Sequence, residues 1–184
     1  MKLKEIASIQ TGLFAKPLAM GEVVYLQSKH FDDQGTLLAA LHPDLLLADI
    51  SLRHLLQPGD VLFAAKGTKN VAAVYEEHYP KAVASTSFFV IRLSNPDVLP
   101  DYLAWFLNNP ATQAALKAQA MGTSIPSISK QVLEEVDVPI PSFEIQTIVV
   151  SISRLRIVEK TILGRLESLR DKQIQYQLIN SIYL

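Results

Sequence analysis

Residues 64–72, AAKGTKNVA, set Lys66 and Lys69 around Gly67, with Thr68 and Asn70 beside them. A glycine lets backbone come close to a ligand, and a lysine ammonium neutralises a phosphate. A threonine hydroxyl or an asparagine amide can bond to the edge of a base. The grouping therefore suits a nucleic acid. A basic hairpin tip on any protein surface has the same composition, so both readings stand at this point. Two further polar loops follow regular elements: Gln27–Phe31 (QSKHF), carrying Lys29 and His30, and Gly122–Ser127 (GTSIPS), carrying Thr123 and Ser124.

Catalytic chemistry leaves no comparable trace. Seven glycines scattered singly cannot build a GxxxxGK[ST] phosphate loop or a GxGxxG turn. Asn108-Asn109-Pro110-Ala111 is not the Asn/Asp-Pro-Pro-aromatic stretch with which amino-methyltransferases hold their target amine. His30, His42, His54 and His78 stand apart without metal-ligand spacing, and a chain with no cysteine has neither thiolate site nor disulfide. Glu76-Glu77-His78 reads as an exposed polar turn before Tyr79-Pro80. Glu134, Glu135 and Asp137, interleaved with Val136 and Val138, read as a solvated helix end and strand edge. A chain without catalysis, and without a cofactor or metal of its own, is expected.

The elements that must position the loops belong to a folded protein. Of 184 residues 49% are apolar and 19% charged, which suits a globular core and excludes a disordered chain. No apolar run approaches the roughly 20 residues of a membrane helix, and no signal-peptide core follows Met1–Glu5. A cytoplasmic protein away from membranes is expected. Charge is uneven. Residues 1–141 carry 11 Lys and Arg against 14 Asp and Glu, whereas residues 142–184 carry 6 against 4. Any nucleic-acid contact in the first part must come from a local cluster or be assisted by a partner.

The pattern predicts an α+β fold, with a mixed α/β domain over residues 1–141. Lys4–Gln10 reads as a short strand or turn leading into the Gly12 loop. Glu22–Gln27, the run after Pro58-Gly59-Asp60 as far as Gly67, VAAVYEE (71–77) and ASTSFFVIRL (84–93) read as strands. Leu99-Pro100-Asp101 opens a helix with Tyr102, Leu103 and Phe106 on one face. Pro110 breaks it in two, and Gly122 ends it. Val136 and Val138 belong to a short strand.

After Pro141 the period changes. Ser142 is a candidate N-cap for a long helix over residues 142–184. Counting heptads from Ile145 as a places Ile148, Leu155, Ile162, Leu169, Tyr176 and Tyr183 at d, and Ile145, Ile152, Glu159, Leu166, Gln173 and Asn180 at a. An apolar d series with polar a positions fits a coiled-coil seam. About 40 residues make roughly 60 Å of helix at 1.5 Å per residue, too long to be covered by its own domain. Pro139 and Pro141 stiffen the approach and are expected to aim the helix from the domain at a set angle. Ile148, Ile152, Leu155, Ile162, Leu166, Leu169 and Tyr176 are the candidate dimerisation residues, in an antiparallel homodimer. Arg156 and Arg170 at e, and Arg165 and Lys172 at g, would then face like charges and are free to face a partner or DNA.

The order of these pieces is similar to a known family. GDVLFAAKGT, then ASTSFFVIRL, then LPDYLAWFLNN, then GTSIPSISKQVLEEVDVPIPSFEIQ and a long helix resembles the target-recognition domain and conserved helix of type I restriction–modification specificity subunits. The likeness is specific from Asp101 onward and loose before Gly59. A usual specificity subunit carries two recognition domains and two helices, and this chain has one of each. The resemblance implies a half-subunit that recognises double-stranded DNA. Separate methyltransferase (modification) subunits would bind S-adenosylmethionine, and restriction/translocase subunits would use ATP and Mg. It also implies an interrupted palindromic target read by a homodimer. A coiled-coil interaction module with no DNA role is the competing reading, supported by the slight acidity of residues 1–141.

Overall fold

The computed structural model describes residues 1–32, 37, 41–67, 70–121 and 126–182. The chain divides into two units, Met1–Gln146 and Thr147–Leu184.

In the first unit a four-stranded antiparallel sheet forms the core. β1 (Ala7–Thr11), β3 (Val61–Ala64), β4 (Ala72–Val74) and β6 (Phe88–Leu93) lie in the order β1-β6-β3-β4. The central strands read VLFA and FFVIRL, and both are buried over most of their length. Phe63, Leu62 and Ile91 are among the largest fully buried side chains. A second pair, β2 (Val24–Leu26) and β5 (Ala82–Ala84), is parallel. Here the structure corrects the reading of ASTSFFVIRL as one strand. Ala84 closes β5, residues 85–87 turn, and β6 starts at Phe88. Burial of Ala82, Val83 and Ala84 beside β2, rather than any local periodicity, makes that three-residue strand.

Helices cover the β4 side. α2 (Pro100–Asn108) and α3 (Pro110–Ala118) are separate helices, each with proline in its first turn. The Asn108 amide donates to Ala72 O at 2.7 Å while its Oδ1 accepts from Ala72 N–H at 2.8 Å, so one side chain satisfies the edge strand. Asn109 caps α3 by accepting from Ala111 N–H. The buried face of α2 is Tyr102, Leu103, Ala104 and Leu107. Phe106, expected on that face, is half-buried and lines a groove with Leu116 and Val132 instead. α3 ends at Ala118, and Gly122 lies outside the described residues.

α1 (Leu3–Ile6) occupies half of the segment read as a strand or turn, and β1 the other half. Residues 136–138 pair antiparallel with residues 1–3, through Leu3 N–H to Val136 O at 2.9 Å and Val138 N–H to Met1 O at 2.8 Å. Glu135 and Asp137, just beyond α4 (Lys130–Glu134), pair with Lys4 and Lys2. These acids are therefore structural ties, not an acid–base pair. α5 (Phe143–Ile182) begins with Gln146 N–H bonded to Ser142 O at 3.0 Å. The Gln146 side chain is fully buried in the first unit. Its Oε1 accepts from Leu99 N–H, and its amide donates to Asp97 O and Pro141 O.

Candidate nucleic-acid interface

Strand direction gathers the polar loops. Thr11 of β1 lies opposite Phe89, and Ala64 of β3 opposite Phe88, so both strands end beside the start of β6. β2 and β5 run parallel with Leu26 opposite Ala84, four residues before Phe88. The connections after β1, β2, β3 and β5 therefore emerge at one end of the sheet.

The β3–β4 hairpin is stitched to its neighbours there. Ala65 N–H donates to Ser87 O at 2.8 Å, Ile128 N–H to Ala65 O at 2.9 Å, and Gly67 N–H to Pro126 O at 2.9 Å. Lys66 forms an isolated bridge with Ser127. Gly67 has φ +97°, a conformation that side chains with a Cβ rarely adopt. The glycine thus turns the chain just after the exposed Lys66.

The turn after β2 joins the same end. Residues 28–30 form a 3-10 turn in which Lys29 is exposed and His30 half-buried. His30 Nδ1 accepts from Gln27 N–H at 3.1 Å. Burial first, and then the Lys29 charge, push the His30 pKa below its usual value, against a small opposing pull from Asp44. A neutral imidazole with a bonded Nδ1 keeps its proton on Nε2 and offers a donor, not a charge. Phe31 packs on Phe88 with ring centroids 5.2 Å apart. Beneath them a largely apolar cavity of about 60 Å³ reaches Leu62 and Val71.

Several expected residues are thus brought together: Lys29, His30, Lys66 and Gly67. Thr68, Lys69, Thr123 and Ser124 lie outside the described residues. Asn70 is corrected. Its side chain is buried and its amide donates to Ala64 O at 2.9 Å, while its backbone carbonyl accepts from the Gln113 amide at 2.6 Å. It braces the hairpin from inside and has no free edge for a base. Two further segments lie at this end that the sequence does not mark as contacts, the Gly12–Phe14 loop and Ser85–Ser87. Of the run Ser85-Thr86-Ser87, Ser85 is buried and its hydroxyl accepts from Ser87 N–H, while Thr86 and Ser87 are half-buried.

The candidate dimerisation residues lie on α5 with open surface. Ile148, Ile152, Leu155, Ile162, Leu166, Leu169 and Tyr176 are each between 42% and 69% exposed. Ile157, Val158, Leu163, Ile174, Leu178 and Ile179, off this row, are exposed as well. Among the described residues no group of three or more His, Asp or Glu is placed to hold a metal ion, and no helix is long and apolar enough to cross a membrane.

Residues 53–168 match the family described as the type I restriction modification DNA specificity domain. The chain belongs to this family. Its match spans the hairpin, β4–β6, α2–α4 and most of α5. The fold is also that of solved relatives. A chain from work on complex assembly and conformational transition of the type I R-M system aligns with TM-score 0.70 at 16% identity, over 95% of this chain and 42% of that one. The HsdS subunit from Thermoanaerobacter tengcongensis aligns with TM-score 0.59 at 16% identity, over 89% and 38%. The type I restriction–modification S subunit from M. genitalium gives 0.60 at 14% identity, over 84% and 37%. The chain spans about two-fifths of the length of these solved chains. Among curated protein sequences nothing matches it.

Proposed function

We propose that this specificity-family chain is a non-catalytic DNA-recognition subunit. It reads one half-site through the loop end of its sheet and pairs through α5 with a second copy. The observation that carries the reading is the convergence of Lys29, His30, Lys66–Gly67 and the half-buried Thr86–Ser87 at one end of a family-matched domain. Lysines on such a surface supply phosphate attraction, and hydroxyls and an imidazole Nε2–H supply directional bonds to base edges.

Pairing is supported by exposed surface. Joining two α5 seams removes from water the apolar row that a single chain leaves open. S-adenosylmethionine, ATP and Mg belong in this reading to partner methyltransferase and restriction/translocase subunits. The modest net charge follows, because those partners add phosphate contacts.

The test is selection from a random-sequence duplex pool at low and moderate salt, with and without the methyltransferase partner. Enrichment of a motif with inverted half-sites is the expected outcome. Lys66→Ala should weaken binding and lower the dependence of log K on log salt by about one. A chain that enriches no sequence in either condition is not a specificity subunit.

A further inference from the structure

Phe14 is 85% exposed, yet the backbone that carries it is held on every side. Gly12 N–H donates to Phe88 O at 3.0 Å and Leu13 N–H to Ala84 O at 2.9 Å. A Cβ on Gly12 would lie 2.1 Å from Ser85 O and 2.4 Å from Ala84 O, so only glycine allows this approach. The hydroxyl of buried Tyr25 then clamps both flanks of Phe14. It donates to Leu13 O at 3.0 Å and accepts from Ala15 N–H at 3.3 Å. An ordinary surface phenylalanine needs none of this.

The display stands at the loop end of the sheet, where Leu13 bridges Ser85 and Ser87 accepts from the base of the lysine hairpin. The exposed residues around that end include Thr11, Lys16, Ser28, Lys29 and Lys66. A protein-docking anchor sits in an apolar patch. Leu13 and Ala15 anchor the display in the apolar cluster of Tyr25, Leu45 and Val83. A rigid exposed aromatic at the end of the sheet that carries Lys29 and Lys66 fits a polyanion with stacked faces. Leu18 and Met20, further along the same segment, are also exposed. Leu18 N–H is bonded to Asp44 O, and Asp44 pairs with Val23 at the opposite end of β2.

We propose that Phe14 is an apolar wedge that stacks into a base step of the DNA half-site, held for that task by Gly12 and Tyr25. It rests on the DNA-recognition reading above and adds a contact that reads step deformability rather than a hydrogen-bond pattern. Apolar wedges partially unstack a step and kink the duplex, and flexible pyrimidine–purine steps yield most easily.

The full-length chain and the duplex it selects from a random pool provide the test, with 2-aminopurine scanned through the half-site. Wild type should raise the fluorescence at one position. Phe14→Ala should abolish that rise and weaken binding about tenfold, with its salt dependence and unfolding midpoint unchanged. Phe14→Leu should keep most of the rise. Tyr25→Phe, which keeps the buried ring but removes the clamp, should lose part of it. Wild-type affinity and fluorescence in Phe14→Ala would overturn the wedge, as would a variant that binds DNA normally but fails to assemble with the methyltransferase. If wild type selects no duplex at all, the DNA-recognition reading falls and the wedge with it.

Discussion

The Arg92 guanidinium grips the Asp60 carboxylate with two bonds, Nε to Oδ1 at 2.7 Å and Nη2 to Oδ2 at 2.6 Å. It joins β6 to the turn that feeds β3. Asp60 is 1% exposed and also accepts from Gln57 N–H at 2.8 Å, while Arg92 reaches Leu55 O at 3.3 Å. The hydrogen bond to Asp60, more than bare charge attraction, raises the Arg92 pKa. Arg92 therefore stays charged across the working pH range.

Asp60→Ala removes the acceptor for three donors and leaves Arg92 half-buried without its counter-ion. A loss of about 2–3 kcal/mol in unfolding free energy is expected. Urea denaturation followed by the fluorescence of Trp105 measures it. A change below half a kcal/mol would show that water replaces the carboxylate freely.

Much of this arrangement was legible in the sequence because long periods survive tertiary context. The apolar series from Ile145 to Tyr176 gave α5, and the prolines at 100 and 110 gave the two starts that α2 and α3 show. What escaped was fixed by partners distant in sequence. β5 is only Ala82–Ala84 and exists because β2 lies beside it. Asn70 looked like a reader of bases, yet its amide turns inward to Ala64, which composition cannot reveal. Gln146 sits among apolar helix residues with no local sign that Leu99 and Asp97 need its amide. The Tyr25 clamp likewise joins residues 10–12 positions apart through one hydroxyl.

Gln146→Leu tests that last kind of contact. The substitution keeps the volume but strands Leu99 N–H, Asp97 O and Pro141 O at a buried site. About 2–4 kcal/mol of stability should be lost, and the Leu99 amide should lose its hydrogen-exchange protection. An unprotected Leu99 in wild type would show that the staple does not persist in solution.

The ties between α1 and the segment after α4 make the domain's acid response local. The Lys4 hydrogen bond, ahead of its charge, holds the Glu135 pKa below 4.5, and the same bond raises Lys4 above 10.5. A depressed carboxylate stabilises at pH above its unfolded value, and that contribution is lost as pH falls through the folded value. A raised lysine stabilises below 10.5, and its contribution is lost as pH rises through its own folded value. The tie is therefore complete between these limits. Both groups are exposed, so the global effect is small. Carbon NMR of Glu135 should titrate below 4.5 in wild type and move up towards it in Lys4→Ala.

The exposed seam of α5 predicts association. Light scattering at micromolar concentration should give a mass near twice 20.4 kDa. Leu155→Glu with Ile162→Glu should give a monomer that keeps the fold of residues 1–146, because both side chains are exposed on α5 and neither lines that unit's core. A wild-type monomer would end the homodimer proposal.

A symmetric dimer constrains the DNA site. Two identical recognition domains related by a twofold axis read the same bases on opposite strands, so the target should be an interrupted palindrome. The spacer follows from the rod. α5 has 40 residues, or roughly 60 Å of helix, and B-DNA repeats about every 34 Å. Half-site centres about one turn apart, or slightly less, lie within that reach. Adding a heptad to α5 preserves the seam and separates the domains further, so the preferred spacer should lengthen while each half-site keeps its bases. Lys66→Ala should do the reverse, weakening binding and its salt dependence with the spacer unchanged. Methylation mapping in cells that carry this chain and its methyltransferase partner reads both outcomes. An asymmetric bipartite motif, in the absence of a second specificity chain, would sink the symmetric model, because identical domains cannot read different half-sites.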